Sequence, residues 1–236
     1  LIKYWNHKMS LFYIKGNQAT NIPPASFVDR NIPEKQIQEI IAANLNILGE
    51  DLLLISEQYF GWEDSRKHLD ILALDKSGNL VVIELKRDDK GFHMDLQAIR
   101  YASMVSQMSL TEIYSAYSKK HNCSEDKAKE KITTWLQDSL ENDEELLQDV
   151  RIILVNQDFG KELTSCVLWL LDKNIDISCI RITPYQVNGE ILWDIDKIIP
   201  LKEADDYRKN IRKQQAQIEE QKKSQKEKSK HEPDQH

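Results

Sequence analysis

Hydrophobic residues in the first half of the chain change from helical spacing to short continuous runs, which predicts a helix followed by buried strands. Between Pro33 and Gly49 the apolar side chains recur every three or four residues, and these two residues suit a helix start and stop. Residues 51–60 read as a strand, and the segments 69–74 and 80–85 are rich in apolar residues on both alternating faces. Such runs are typical of strands that are covered on both sides.

The second half repeats this mixture of helices and strands. Helices are predicted at about 93–108, 110–120, 124–140 and 161–174, and strands at 151–157, 176–187 and 190–200. Asn188-Gly189 is a strong hairpin turn between the last two strands, and Gly16-Asn17 predicts a further hairpin within residues 10–28. The order helix, three strands, helix, strand therefore predicts an α/β fold, with helices flanking the sheet and a helical insertion before the strand at 151–157.

The domain organisation follows from shifts in composition. Residues 1–30 are predicted to form an N-terminal β-hairpin extension, and residues 31–200 one α/β domain. From residue 201 the chain is highly polar, with ten Lys and Arg and eight Asp and Glu in 202–236. This tail is expected to be helical or disordered, either as a solvated segment or as a basic arm that contacts phosphates.

Composition narrows the class of protein. Hydrophobic residues make up 40% and charged residues 30% of the chain, and no apolar run is long enough for a membrane span. The first sixteen residues lack the long apolar core of a signal peptide. Three widely spaced cysteines, Cys123, Cys166 and Cys179, match no zinc motif and suggest reduced thiols in a cytoplasmic protein.

Net charge does not by itself indicate nucleic-acid binding. The formal charge is −7, and because the tail from residue 202 is positive, the rest of the chain is more acidic still. A local basic groove is compatible with this balance.

Three charged residues interrupt the apolar strands and indicate chemistry. Asp70, Glu84 and Lys86 lie within or at the end of segments that otherwise read as buried. A turn at 75–79, with Gly78 in the left-handed conformation, would set Leu74 opposite Leu80 and thus Asp70 opposite Glu84. Lys86 is two residues beyond Glu84, so both side chains share that face.

Two carboxylates so close would repel each other unless a cation joined them. Oxygen ligands favour Mg²⁺ or Mn²⁺. The alternative is a purely structural ion pair at a strand end. Buried charges must be paired or bound to a metal, so either interpretation explains why these residues are tolerated.

Further residues complete a pattern that resembles the PD-(D/E)XK nuclease superfamily. Asp70 and Glu84-Leu85-Lys86 match its D…(E/D)xK signature, and Gln97 with Tyr101 matches the QxxxY motif of its RecB-like and NucS-like branch. Glu39 matches the acidic residue of the first core helix. The resemblance covers about residues 30–200. Within the superfamily, this segment is similar to bacterial NucS-like nuclease domains.

The resemblance implies a restriction-endonuclease-like core of order αβββαβ and a magnesium-dependent endonuclease. Asp70, Glu84 and the main-chain carbonyl of Leu85 would hold the Mg²⁺ or Mn²⁺ ion, and Glu39 would bind a second metal or an outer water. Lys86 would orient the attacking water and stabilise the phosphate. Gln97 and Tyr101, four residues apart and so on one helix face, would contact phosphate or brace the metal site.

The resemblance favours DNA as the partner, leaves homodimerisation open and implies no membrane association. The competing hypothesis is a catalytically inactive module of this fold that binds DNA or a protein partner, because the body is acidic and the tail long. Binding that survives loss of Asp70, without metal uptake, would distinguish that module from an enzyme.

Overall fold

A computed structural model describes residues 10–59, 68–87, 93–136 and 149–201 of the chain. Contacts divide the chain into two units, Leu1–Ile199 and Pro200–His236. The first unit contains all of the helices and strands given below. Of the second unit only residues 200 and 201 are described, so the predicted polar tail lies outside the described residues.

Five α-helices and eight strands lie within the described residues of the first unit. The helices are α1 Glu34–Ala43, α2 Met94–Val105, α3 Leu110–His121, α4 Glu125–Leu136 and α5 Lys161–Asp172. The strands are β1 Leu11–Lys15, β2 Gln18–Ile22, β3 Leu52–Tyr59, β4 Leu69–Asp75, β5 Leu80–Leu85, β6 Val150–Asn156, β7 Ile177–Val187 and β8 Glu190–Ile199. The predicted helices and strands are present in the described part of the chain, with ends shifted by a few residues, whereas residue 60 of the predicted strand 51–60 and residues 137–140 of the predicted helix 124–140 lie outside the described residues.

Six strands form one mixed sheet in the order β3-β4-β5-β6-β7-β8. The three central strands β5, β6 and β7 are parallel, and the β3-β4, β4-β5 and β7-β8 pairs are antiparallel. The predicted α/β class, with a mixed sheet flanked by helices, is confirmed. The β1-β2 hairpin is a separate two-stranded sheet, and the segment after it is joined to β7 by the amide of Ala25, which donates to the Pro184 carbonyl at 2.7 Å.

Each face of the six-stranded sheet carries its own hydrophobic core. One core contains apolar side chains of α2, α3, α4 and α5, and the other contains those of α1 and of the segment before it. Because both faces are covered, strands β4 and β5 are buried along almost their whole length, as the continuous runs in the sequence predicted. No helix within the described residues combines the length and the apolar character needed to cross a bilayer.

The first predicted helix is shorter in the structure than in the sequence analysis. It ends at Ala43, and a single 3-10 turn follows at Leu45–Leu48 before Gly49, which has a left-handed φ of 85°. Asn44 separates the two because its side-chain amide donates to the Ile40 carbonyl at 2.9 Å while its backbone leaves the helical region. Asparagine often ends helices in this way, by competing for main-chain groups.

Candidate active site

The hairpin of β4 and β5 has the predicted register. Leu74 pairs with Leu80 and Leu72 with Val82, and the paired positions end at Ile71 and Ile83. The connecting turn is closed by the Asp75 carboxylate, whose Oδ1 accepts the backbone N–H groups of Ser77 and Asn79 at 2.9 Å each. Gly78 has φ of 83°, the left-handed conformation that the turn requires.

Asp70 lies next to Ile71, the last residue of β4 that pairs with β5. There its Oδ2 accepts the backbone N–H of Leu85 at 2.8 Å, so a carboxylate takes up a main-chain donor of the neighbouring strand. This bond fixes the Asp70 side chain on the strand end that carries Glu84 and Lys86. A carboxylate held by a backbone N–H is well oriented, because the donor itself belongs to the rigid sheet.

Glu84 is completely buried, with 0% of its surface exposed. Its Oε1 accepts a hydrogen bond from the Lys86 ammonium at 2.9 Å. Its Oε2 has no hydrogen-bond partner among the described residues. A buried carboxylate oxygen without a donor is unfavourable, so this atom indicates a site suited to a cation or another donor.

The carboxyl groups of Glu84 and Asp70 both have raised pKa values. The pKa of Glu84 is raised to about 8, chiefly by burial and next by the nearby Asp70 charge, against the opposing effect of Lys86. The pKa of Asp70 is raised to about 6, chiefly by burial, against the opposing effects of the hydrogen bond from Leu85 and of the Lys86 charge. Burial alone would lower the pKa of Lys86, but Glu84 and Asp70 hold it above its ordinary value.

Helix α1 contributes Glu34 to this cluster. The Oε1 of Glu34 lies 3.6 Å from the Lys86 Nζ, and its Oε2 accepts the backbone N–H of Arg87 at 3.1 Å. Gln38, one turn later on the same face, donates to the Asp70 carbonyl at 2.7 Å. The start of α1 is therefore linked both to the residues that follow β5 and to the main chain of Asp70 on β4.

Glu39, the acidic residue that the resemblance indicated on this helix, is not brought to the cluster. It is exposed and forms an ion pair with Lys35, with 3.9 Å between Lys35 Nζ and Glu39 Oε1. Five residues separate it from Glu34, which on a helix places the two side chains on different faces. On α1 it is therefore Glu34, and not Glu39, that the structure places beside the Lys86 ammonium.

Helix α2 carries Gln97 and Tyr101, and Tyr101 lies near the Glu84 and Asp70 carboxylates. The Gln97 side-chain amide donates to the Tyr101 hydroxyl at 3.4 Å, and Tyr101 is buried. Burial raises the pKa of Tyr101, and the charges of Glu84 and Asp70 add to this effect. Both predicted helix residues therefore lie together, with the tyrosine within electrostatic range of the centre.

Asn156 is a buried polar residue that sequence analysis did not single out. It ends β6 level with Lys86, the residue after β5, since Leu85 pairs with Val155 and the Lys86 N–H donates to the Val155 carbonyl. Its Nδ2 has no hydrogen-bond partner among the described residues. The only sequence signal for Asn156 was a polar residue at the end of an apolar run. Ordinary strand ends show the same pattern.

The donor set of the cluster fits a hard divalent cation. Its groups are the carboxylates of Asp70 and Glu84 and the Leu85 carbonyl, all of them oxygen ligands of the kind that Mg²⁺ and Mn²⁺ prefer. The orphaned Glu84 Oε2 is the observation that favours an ion there. Across the described ranges, no three Asp, Glu, His or Cys side chains are gathered closely enough to hold a metal, so the fit depends on the main-chain carbonyl as well.

Comparison with known proteins gives only distant structural likenesses. No protein-family profile matches the chain, and no curated protein matches it in sequence. A repair endonuclease from Pyrococcus abyssi is similar over 61% of this chain and 45% of its own, with 18% identity and a TM-score of 0.36. The structure of an EndoMS-dsDNA2 complex is similar over 61% of this chain and 43% of its own, with 16% identity and a TM-score of 0.35.

The chain spans less than half the length of either of these structures. At such TM-scores neither likeness decides what the chain does. The chemistry has to be inferred from the side chains of the candidate site.

Proposed function

We propose that this chain is a Mg²⁺- or Mn²⁺-dependent nuclease that hydrolyses phosphodiester bonds, with DNA as the favoured substrate and internal cleavage as the favoured mode. The observation that carries the proposal is the buried Glu84 carboxylate. It lies beside Asp70, is half-satisfied by Lys86, and retains one oxygen without a donor among the described residues. A protein that needed only stability would be better served by apolar residues here.

Asp70, Glu84 and the Leu85 carbonyl are the groups that would hold the cation. When bound, such an ion lowers the pKa of water and offsets negative charge on a phosphate. The rigid parts of the site are supplied by the sheet, since Asp70 is fixed by the Leu85 N–H and Glu84 is enclosed in the core. Preorganised groups of this kind need no rearrangement during the reaction.

Lys86 is the cationic group suited to the phosphate. Its ammonium carries three donors, and its side chain is partly exposed, with 19% of its surface accessible. At the reacting phosphate it stabilises the negative charge that develops on the oxygens. Gln97 and Tyr101 supply an amide and a hydroxyl beside the same centre, where they orient the phosphate or the carboxylates.

The direct test is a cleavage assay on single-stranded, duplex and branched DNA, with RNA in parallel. We expect cleavage with Mg²⁺ or Mn²⁺ and none with EDTA, because the cation would lower the pKa of the attacking water and offset the negative charge on the phosphate. Circular substrates report internal cleavage. DNA binding without cation-dependent cleavage on any of these substrates would favour the inactive-module alternative.

The two acidic residues of α1 provide a matched pair of variants. Glu34→Gln removes a carboxylate that lies against Lys86, and we expect cleavage to fall about tenfold, the effect of roughly 1.4 kcal/mol on the barrier. Glu39→Gln removes an exposed carboxylate on the same helix, and we expect no change. Cleavage rates are measured at saturating Mg²⁺. A slow Glu39→Gln variant together with a Glu34→Gln variant of normal rate would instead indicate Glu39 as the functional carboxylate.

A further inference from the structure

The ammonium of Lys86 donates to two of the oxygens proposed above as cation ligands. Its Nζ lies 2.9 Å from Glu84 Oε1 and 3.0 Å from the Leu85 carbonyl oxygen. The third neighbour, Glu34 Oε1, lies 3.6 Å away. The first two of these oxygens belong to the groups assigned above to Mg²⁺ or Mn²⁺.

An ammonium and a divalent ion cannot both occupy this position. Mg²⁺ binds oxygen at about 2.1 Å and needs lone pairs that an N–H donor would otherwise take. Two positive centres that shared Glu84 Oε1 would also repel each other at short distance in a poorly screened environment. An ion that binds Glu84 Oε1 and the Leu85 carbonyl therefore requires the Lys86 ammonium to leave these two oxygens.

The charge balance favours replacement by a divalent ion. Three carboxyl groups, those of Asp70, Glu84 and Glu34, lie near one ammonium, which leaves a formal surplus of two negative charges when all three are ionised. The Lys86 ammonium also satisfies only one oxygen of Glu84, since Oε2 has no partner among the described residues. A single ammonium is therefore an incomplete counter-charge for this cluster.

We propose that Lys86 is the resident cation of the metal-free centre, and that a divalent ion displaces its ammonium from Glu84 and from the Leu85 carbonyl. This rests on the proposed function, because it assumes that the same oxygens bind the metal. Once displaced, the Lys86 ammonium no longer donates to Glu84 and Leu85, so its N–H groups can bind another acceptor. Lys86 thus becomes available to a substrate phosphate only after the cation has bound, which makes cation binding precede productive phosphate contact.

The experiment follows the Lys86 ammonium directly by NMR of the full chain. In the metal-free protein its protons are held by Glu84 and Leu85, so they should exchange slowly with water and give a resolved ammonium signal. Lys86→Met and Lys86→Arg, which both lack this signal, identify it. Saturating Mg²⁺ should remove the signal, because the released ammonium exchanges rapidly with water.

Lys76 is the internal control. Its ammonium donates to the Trp135 carbonyl at 3.1 Å and lies over the Trp135 ring, in the turn at the other end of the same hairpin. It should give a comparable signal that Mg²⁺ leaves in place. General loosening of the protein by the ion would affect both lysines, whereas displacement affects Lys86 alone.

Calorimetric titration of Mg²⁺ into the wild type and into Glu84→Gln distinguishes the displacement of Lys86 from the proposed cation site itself. Binding that Glu84→Gln abolishes, together with loss of the Lys86 signal, supports the displacement. Binding with a persistent Lys86 signal overturns the displacement and leaves the proposed cation site intact. No binding of Mg²⁺ or Mn²⁺ to the wild type overturns both.

Discussion

Glu84→Gln is expected to reduce cleavage by about a thousandfold or more, the effect of ~4 kcal/mol on the barrier. Glutamine has almost the same size and shape as glutamate, so the packing of this completely buried side chain is retained. What is lost is the negative charge that pairs with Lys86 and that would hold the cation. The measurement is the single-turnover cleavage rate at saturating Mg²⁺.

Three comparisons make this result interpretable. Glu39→Gln changes an exposed carboxylate and should retain the wild-type rate, which controls for the handling of variant proteins. Lys86→Met should also be strongly impaired while still folding. Equal cleavage by wild type, Glu84→Gln and Lys86→Met would mean that the activity belongs to a contaminant or to another part of the chain.

Glu84→Gln is also expected to stabilise the metal-free protein at alkaline pH, which is the opposite of its effect on activity. The folded-state pKa of Glu84 is raised to about 8 from an ordinary value of 4.5, so between these values the folded protein binds more protons than the unfolded chain. The stability of the wild type must therefore fall as pH rises through this window. Asp70, raised to about 6 from 3.8, adds a fall at lower pH.

The side-chain amide that Glu84→Gln introduces cannot ionise, so the part of the decline that is due to Glu84 disappears in the variant. We expect the two proteins to be similar at about pH 5, and the variant to be more stable by on the order of 2 kcal/mol at about pH 9. The measurement is the free energy of unfolding from urea titrations in EDTA across this range. Glu39→Gln should follow the wild-type curve.

A wild type whose stability does not decline between these pH values would show that Glu84 ionises without penalty. It would then be solvated or fully paired, contrary to its burial and its unpartnered oxygen. Saturating Mg²⁺ offers a further check, because a ligand that binds only the folded state stabilises it. It should stabilise the wild type at alkaline pH and leave Glu84→Gln unchanged.

Local sequence determined the hairpin that carries the candidate site. The turn residues Asp75 and Gly78 have strong backbone preferences, and the length and type of this turn set the register of the two strands. From that register alone, the sequence predicted that Asp70 and Glu84 would lie on one face. The spacing of Gln97 and Tyr101 predicted their contact in the same way, because residues four apart meet on a helix.

Tertiary structure decided the partners that come from distant parts of the chain. Glu34 and Glu39 are both acidic and both lie on α1, and the sequence offers no local reason to prefer either as the residue that meets Lys86. The choice depends on how α1 is rotated against the sheet, which its buried apolar side chains and the Gln38 bond to the Asp70 carbonyl fix.

The same is true of Asn156, whose place beside Lys86 follows from the parallel pairing of β5 with β6 across a long insertion. Non-local pairing of this kind leaves no periodic signal in the sequence, because it is set by the packing of the whole sheet. Local preferences thus fixed the position of each charge along its own element. Only the folded chain decided which charges from different elements meet.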